Sequence, residues 1–347
     1  MEDYKIKIDF TDELKNLANK KKQYTIPIFI PHKGCKNECV FCNQKKISGE
    51  LKDVSPDEID NIIKKYLSYY DDNNTCYIEV AFFGGSFTGL DLKLQEQYLK
   101  VVNKYVLSGK IDGIRLSTRP DYISFKILSL LKKYNVKTIE LGIQSLDNEV
   151  LTISKRGHDN LSVIKASRMI KLYGFNLGHQ IMVGLPGSNL NKELYTANEV
   201  VRILPDELRI YPVYVIPQSE LYDMYLNKKY IPLSFKEAVY RTYEIVKVIN
   251  KTDIKIIRLG LQSTSEICSS NKDIVGPVCD NFAEYVFAML VREKIEKEFE
   301  NINIKKLNSI TIIVPKKYFS IIVGPKRINI NYLEKRYNKK IVIRGEV

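Results

Sequence analysis

The chain has 347 residues, of which 44% are hydrophobic and 27% charged, and its formal net charge at pH 7 is +13. This length is enough to bury a substantial core and predicts one large domain with a smaller second unit. No apolar run approaches the roughly 18 residues of a membrane span, and no secretory signal is visible. The sequence therefore predicts a cytoplasmic protein with no membrane partner, in a compartment where thiols stay reduced.

The first predicted strand, at residues 26–30 (IPIFI), is followed at once by three cysteines. Cys35, Cys39 and Cys42 are spaced C-x3-C-x2-C in HKGCKNECVFCNQ. Three thiolates on one short loop can hold three irons of a 4Fe–4S cube and leave the fourth open. A zinc site with His32 as fourth ligand is the alternative, although two C-x2-C pairs are usual for structural zinc and no second pair follows. A disulfide is disfavoured because the other cysteines stand singly.

Strands and helices then alternate along the chain. Apolar residues at a period of 3.6 indicate the helices, and β-branched and aromatic runs indicate the strands. The predicted helices cover residues 55–70, 92–106, 122–134, 161–174 and 191–204. The predicted strands cover residues 26–30, 77–85, 113–120, 138–146, 176–187 and 207–216. This alternation predicts an α/β fold with a parallel sheet, namely a partial (β/α)6 barrel followed by a small C-terminal α+β subdomain.

Polar residues and glycines stand at the carboxyl ends of these strands, where a β/α barrel binds its ligands. Gly84 and Gly85 end one strand and let the backbone approach a ligand closely, and Ser86 follows them. A single polar residue of this kind would more simply bond within the sheet, whereas several on one face indicate a polar pocket. The other candidates are Ser117, Arg119, Gln144, Arg156 and Gln180. The two arginines could neutralise a carboxylate or a phosphate.

The pattern changes after about residue 230. A helix at residues 235–251, a closing strand at 254–263 and a long amphipathic helix at 281–299 precede a basic tail. We expect four parts: an N-terminal extension (1–23), the barrel (24–265), a helical connection (266–300) and a small basic α+β subdomain (301–347).

This tail carries more than half of the net positive charge. From Lys294 to Val347, 13 lysines and arginines stand against five acidic residues. Such clustering indicates a nucleic-acid surface, with a solvated or barrel-capping tail as the alternative. The tail has the element order of half a K-homology module, in which a G-x-x-G loop contacts the nucleic-acid backbone. Lys326 and Arg327 follow Gly324 in this loop, so both are candidate RNA contacts.

The motifs together resemble one family. STRPDY, IELGIQSLDNEVL, the RGH of SKRGHDN, VGLPG and LRIYPVYVI occur in the order of the Elongator catalytic-subunit family of radical S-adenosylmethionine (SAM) enzymes. The resemblance covers about residues 24–265. IPHKGCKNECVFCNQ and FFGGSFTG narrow it to the short bacterial relatives that lack the acetyltransferase domain.

The resemblance implies a 4Fe–4S cluster on the three cysteines, with SAM on its open iron. One-electron reduction by a donor such as flavodoxin or ferredoxin would split SAM into methionine and a 5′-deoxyadenosyl radical, which takes a hydrogen atom from the substrate. SAM would be bound by the candidate polar residues and glycines, namely Gly84, Gly85, Ser86, Ser117, Arg119, Gln144, Arg156 and Gln180. In the family a GGE-type motif grips the methionine amine, and here Ser86 stands in place of the glutamate.

Some features depart from the family. Elongator relatives have a wider cysteine spacing and a glutamate where this chain has Ser117, and they continue into a domain that binds acetyl-CoA. Fewer than 90 residues follow the barrel here, so we expect no acetyl-CoA, whereas tRNA stays the expected partner. Two alternatives remain: a tetrapyrrole substrate, as in the similar coproporphyrinogen dehydrogenase barrel, and a non-enzymatic RNA-binding iron–sulfur protein.

Overall fold

The structure, a computed structural model, describes residues 2–18, 23–30, 34–35, 39–43, 54–70, 76–261 and 273–346. Its strands are β1 (Glu2–Lys7), β2 (Gln23–Phe29), β3 (Tyr77–Phe83), β4 (Gly113–Thr118), β5 (Val136–Gln144), β6 (Asn176–Val183), β7 (Glu207–Pro212), β8 (Lys255–Leu259), β9 (Leu307–Pro315) and β10 (Lys340–Glu346). Strands β2 to β8 form one parallel sheet in sequential order. This is the curled sheet of a partial β/α barrel, and the predicted fold class is confirmed.

Helices connect these strands and cover the outer face of the sheet. They are α1 (Thr11–Ala18), α2 (Pro56–Leu67), α3 (Leu92–Leu107), α4 (Phe125–Lys133), α5 (Asn148–Ile153), α6 (Asn160–Leu172), α7 (Leu190–Ile203), α8 (Glu220–Leu226), α9 (Phe235–Ile249), α10 (Phe282–Glu300), α11 (Phe319–Val323) and α12 (Ile328–Tyr337). Each helix from α2 to α9 begins after a Ser, Asp or Asn whose side chain accepts a backbone N–H of the first turn. Such caps satisfy N–H groups that the helix itself leaves without partners.

Alternation along the strands separates the core from the barrel interior. In β5, Ile139, Leu141 and Ile143 are fully buried in the apolar core shared with the helices. Glu140 and Gly142 alternate with them and therefore lie on the opposite, inward face. The same alternation recurs on the neighbouring strands, so the sheet has one apolar and one polar face.

The inward face carries a buried network of opposite charges. Arg115 donates from Nε to Glu79 Oε1 at 2.7 Å and from Nη1 to Glu207 Oε2 at 2.6 Å, and Arg209 Nε donates to Glu140 Oε2 at 2.7 Å. Burial alone would lower the pKa of Arg115, but Glu79 and Glu207 raise it above the usual arginine value. These ion pairs join side chains of β3, β4, β5 and β7 across the inward face of the sheet.

A second, three-stranded parallel sheet lies beside the barrel. Strand β9 pairs with β1 on one side, Ile312 opposite Ile6, and with β10 on the other, Ile312 opposite Ile343. Helices α11 and α12 connect β9 to β10, and α10 packs against both of them. The N-terminal strand thus joins the sheet of the C-terminal subdomain, a pairing that the sequence pattern did not indicate.

Within the described ranges, no helix is both long and apolar enough to cross a lipid bilayer. The division into four parts at residues 23, 265 and 300 stays a prediction.

Candidate functional site

The cysteine loop lies directly after β2, at the carboxyl ends of the parallel strands, which we call the barrel mouth. Cys39 is buried, whereas Cys35 and Cys42 are partly exposed. The N–H of Cys42 donates to the carbonyl oxygen of Cys39 at 2.9 Å, which turns the chain tightly between them. No disulfide joins any of the five cysteines in the described ranges. His32, the alternative zinc ligand, lies outside the described residues.

The loop that follows β3 packs against the cysteine loop backbone to backbone. Ser86 Oγ lies 3.1 Å from Cys35 Sγ. A Cβ added at Gly34 would lie 2.2 Å from the carbonyl oxygen of Ser86, and one at Gly89 would lie 2.0 Å from the carbonyl oxygen of Gly34. Gly84 has a φ of +97° and sits against the backbone of Ile30. The two loops fit together only because glycines stand at the contact.

We expect Gly34→Ala to prevent this docking. The Cβ would overlap backbone atoms, which cannot turn aside as a flexible side chain can. Gly109→Ala is the matched control because Gly109 also has a positive φ, +73° against +80°, but no atom lies within 4 Å of its Cβ position. Iron bound after anaerobic reconstitution should fall at least about tenfold in Gly34→Ala and stay at the unmodified level in Gly109→Ala. Equal iron contents in both variants would contradict the packing role.

Two arginines reach the buried cysteine, Arg119 from the end of β4 and Arg156 from the turn after α5. Arg156 Nη1 donates to Cys39 Sγ at 2.9 Å, and Arg119 Nη1 lies 3.9 Å from the same sulfur. Arg119 forms a two-pronged ion pair with Asp121, at 3.0 and 3.1 Å, and donates to the carbonyl oxygen of Arg156. The structure thus brings both predicted arginines to the cysteine loop. Two of the three guanidinium nitrogens of Arg119 pair with Asp121.

Two glutamines meet at the mouth beside these arginines. Gln180 Nε2 donates to Gln144 Oε1 at 3.2 Å, and Gln144 has a left-handed φ of 64°. A Cβ at Gly142 would lie 2.9 Å from Gln144 Nε2 and 3.7 Å from Arg156 Nη2. Glycine at this position therefore leaves room for both side chains to cross the end of β5.

Ser117 lies deeper in the barrel than the other candidates. Its hydroxyl donates to Glu140 Oε1 at 3.3 Å, so it is tied to the inward charge network. The structure shows no contact between Ser117 and the described part of the cysteine loop.

Two histidine side chains are buried in the barrel, His158 beside Asp121 and His179 on the helix-facing side of β6. Burial, together with the charges of Arg156 and Arg119, lowers the pKa of His158 to about 4. Burial also lowers the pKa of His179, whose Nε2 lies 2.9 Å from Ser167 Oγ, to about 3. Both rings are neutral at pH 7, and His158 faces Asp121 at 3.7 Å without carrying a charge.

Acidification should destabilise the metal-free protein through these rings. The unfolded chain takes up protons below about pH 6.5 whereas the folded chain does not, so stability falls as pH drops from 6.5 towards 4. Each histidine should lower the free energy of unfolding by about 2 kcal/mol between pH 7 and pH 5. For His179→Gln, the free energy of urea unfolding should fall between pH 7 and pH 5 by about 2 kcal/mol less than it does for the unmodified protein. A loss as large as in the unmodified protein would show that His179 is protonated in the folded state.

The predicted RNA-contact residues lie apart from the cysteines, in the C-terminal subdomain. Lys326 and Arg327 are exposed and have left-handed φ values of 52° and 59°, at the start of α12. They form no described contact with the cysteine loop. Their loop packs on α10, since a Cβ at Gly324 would lie 3.1 Å from Ala288 Cβ.

Several functional residues were missed from the sequence. Asp121, which orients Arg119, stands two residues after it in STRPD, and that spacing was an available signal. No local sequence pattern marks Gly34 and Gly89, because glycine is needed there only where the two loops meet. The inward charge network could have been found from the polar residues that recur at every second position of four strands.

Comparison with known proteins agrees with the partial β/α barrel and its cysteine loop. A family model described as the radical SAM superfamily matches residues 29–199, and one described as the radical SAM C-terminal domain matches residues 205–292. A solved structure of the archaeal Methanocaldococcus infernus Elp3 with an N-terminal deletion has a TM-score of 0.61 and 23% identity, covering 80% of this chain and 63% of that one.

Relatives known from sequence match a shorter part. The tRNA uridine(34) acetyltransferase of Methanocaldococcus infernus is 31% identical over 185 residues, which is 47% of this chain and 34% of the relative. Human Elongator complex protein 3 is 27% identical over 49% of this chain and 35% of its own length. An uncharacterized protein of Methanocaldococcus jannaschii is 28% identical over 63% of this chain and 70% of its own length.

The chain spans about a third of the length of the named acetyltransferase and Elongator relatives. The resemblance inferred from the motifs to the Elongator catalytic-subunit family is confirmed, because relatives of that name recur among the matches. The two family models together cover most of the chain, from residue 29 to 292. The chain belongs to the radical SAM superfamily.

Proposed function

We propose that this chain is a radical SAM enzyme that modifies RNA, with tRNA as the favoured substrate. The observation that carries the proposal is the cysteine loop at the barrel mouth, with Cys39 buried against two cationic side chains. In this proposal Cys35, Cys39 and Cys42 hold a 4Fe–4S cluster, and one iron stays open for SAM. An electron donor such as flavodoxin or ferredoxin supplies the reducing electron.

The cysteine loop offers the ligand atoms that such a cluster needs, namely three cysteine sulfurs. Three cysteines stand on one short segment, and two of them are partly exposed. Within the described ranges, no three Cys, His, Asp or Glu side chains come close enough together to hold one metal ion. A 4Fe–4S cluster binds each cysteine through a different iron, so its ligands stand farther apart than those of a single ion.

The surrounding side chains can bind and shield SAM. When bound, the cluster and SAM together supply a 5′-deoxyadenosyl radical that takes hydrogen from carbon. Backbone groups at Gly84 and Gly85, with the Ser86 hydroxyl, are assigned to the methionine amine. Gln144 and Gln180 line the mouth and are assigned to the polar groups of the nucleoside.

Arg119, Arg156 and Ser117 complete the proposed SAM-binding set. The two arginines would supply positive charge for the SAM carboxylate, and the Ser117 hydroxyl, which donates to Glu140 on the inward face, would add a polar group. Val40 and Phe41, next to Cys39, pack in an apolar cluster with Leu221 of α8 and would keep water from the cysteines.

The RNA assignment is supported by charge and by the names of relatives. Two relatives are named for acting on uridine 34 of tRNA. The positive charge of this chain concentrates after Lys294, as a polyanionic partner requires. A non-enzymatic RNA-binding role would leave the cationic surroundings of Cys39 without a purpose.

The basic loop, Gly324 to Arg327, lies on the mouth side of the barrel. Gly260 follows β8 at the mouth, and its Cβ position lies 3.0 Å from Phe282 Cβ, so α10 begins there. Burial raises the pKa of the Cys279 thiol, three residues before this start, and the nearby charge of Lys326 opposes that rise. One RNA strand can therefore contact the basic loop while a nucleotide reaches the mouth.

We expect the double change Lys326→Gln, Arg327→Gln to weaken tRNA binding. Each lost phosphate contact should reduce the slope of log affinity against log salt by about 0.7–0.9. The control is Lys110→Gln, Lys126→Gln, which removes the same charge from exposed positions beyond α3 and on α4. Binding is measured by filter retention at several salt concentrations. Equal slopes in the two double variants would contradict the basic-loop footprint.

The function as a whole is tested on cellular tRNA. Nucleosides from cells with and without the gene are compared by mass spectrometry, with a strain carrying the Cys39→Ala variant as a control. We expect one modified nucleoside to be missing from both mutant strains. An unchanged nucleoside profile would exclude tRNA as the substrate.

A further inference from the structure

Arg156 places its guanidinium on a predicted cluster ligand. Its Nη1 lies 2.9 Å from Cys39 Sγ, and its Nη2 donates to the carbonyl oxygen of Gly142 at the end of β5. The residue is only 5% exposed, and its guanidinium carbon lies 5.9 Å from the centre of the Phe41 ring. The side chain is thus fixed by contacts on three sides, with one N–H group aimed at sulfur.

Arg119 adds a second positive charge near the same sulfur. Its Nη1 lies 3.9 Å from Cys39 Sγ. Asp121 neutralises part of that charge through its two-pronged pair, and the neighbouring His158 is neutral at pH 7. Of the two guanidinium groups, that of Arg156 lies nearer to the sulfur, at 2.9 Å against 3.9 Å.

Hydrogen bonds and charges at a ligand sulfur shift the reduction potential of an iron–sulfur cluster. Reduction adds one electron, so a nearby cation favours the reduced state and raises the reduction potential. The effect is strong in a buried site because little water screens the charge. A planar guanidinium held by a backbone carbonyl keeps its N–H in place, whereas a free lysine side chain would not.

We propose that Arg156 is a positioning residue that holds Cys39 and raises the reduction potential of the cluster. This rests on the proposed function, since it requires the cluster on Cys39. Arg156 then acts mainly on the electron-accepting step, in which one electron passes from the external donor to the cluster. Binding of the SAM carboxylate becomes a lesser part of its role, because its two terminal nitrogens already contact Cys39 and Gly142.

The test compares Arg156→Gln and Arg156→Lys with Lys155→Gln. Lys155 is the next residue along the chain, but its side chain is exposed and pairs with Glu220, so its loss removes equal charge away from the sulfur. Each protein is reconstituted anaerobically with iron and sulfide. It is then titrated with dithionite in the absence of SAM, and the reduced cluster is followed by electron paramagnetic resonance.

We expect a lower midpoint potential in Arg156→Gln, by at least a tenfold change in the reduction equilibrium, which is 59 mV for one electron. Arg156→Lys should shift by less, because its charge remains while the fixed donor is lost. Lys155→Gln should match the unmodified protein. A purely structural role would lower the cluster yield but leave the potential of assembled clusters unchanged.

The outcomes separate the two proposals. If the unmodified protein assembles no cluster, the proposed function fails and this inference falls with it. If both Arg156 variants carry clusters at the unmodified potential, the inference is overturned while the proposed function stands. If Arg156→Gln assembles none, Arg156→Lys decides alone: an unchanged potential overturns the inference, and a lowered one supports it.

Discussion

Replacing Cys35, Cys39 or Cys42 singly by alanine is expected to abolish cluster binding and SAM cleavage. Each thiolate would hold a different iron, so loss of one leaves two irons exposed to water and the cube open to decay. We expect bound iron to fall at least about tenfold, because losing even a hydrogen-bond partner of a metal ligand typically costs about 10–100-fold in affinity. Iron content and the visible absorption of the reconstituted proteins measure the effect.

Cys76→Ala is the control for these variants. Cys76 is also a partly exposed free thiol, but it stands alone before β3. Its replacement should leave iron content unchanged. Iron retained fully by any one of the three alanine variants would remove that cysteine from the ligand set. Retention by all three would exclude the proposed cluster site.

Replacing Arg115 by methionine should destabilise the fold by about 3–5 kcal/mol. Its side chain is only 3% exposed and pairs with Glu79 and Glu207 on two other strands. Without the guanidinium, carboxylates stay buried with no compensating charge, which costs much more than the pair itself contributes. The free energy of urea unfolding at pH 7 measures the loss.

Two further variants show whether the cause is uncompensated charge. Arg202→Met removes an arginine that is 75% exposed and paired with Glu199, and should cost at most about 1 kcal/mol. Adding Glu79→Gln to Arg115→Met should recover part of the loss, because one stranded carboxylate is removed. A loss below about 1 kcal/mol in Arg115→Met would mean that water reaches the network and screens it.

The regular barrel was predictable because its signals are local. The six predicted strands and the closing strand appear as β2 to β8, and the predicted helices appear between them. Each helix start is fixed by a nearby residue, as Ser55 shows: it accepts from the N–H of Glu58, whose side chain accepts from the N–H of Ser55. Local signals of this kind need no knowledge of distant contacts.

Features that join distant segments were not predictable from local pattern. Strand β1 is short and charged, and its partner β9 lies about 300 residues further along the chain. The meeting of Gly34 with Gly89 depends on two loops whose paths no period describes. The sequence indicated Arg156 as a polar candidate, but its direction towards Cys39 depends on the turn after α5.

If the cysteine loop holds a cluster that cleaves SAM, the chain should form 5′-deoxyadenosine without any substrate. The measurement uses anaerobically reconstituted protein with SAM and dithionite alone. We predict that the unmodified protein and Cys76→Ala form 5′-deoxyadenosine, and that Cys39→Ala forms none. Absence of the product from unmodified protein that carries its full iron content would contradict the claim, as would equal amounts from Cys39→Ala.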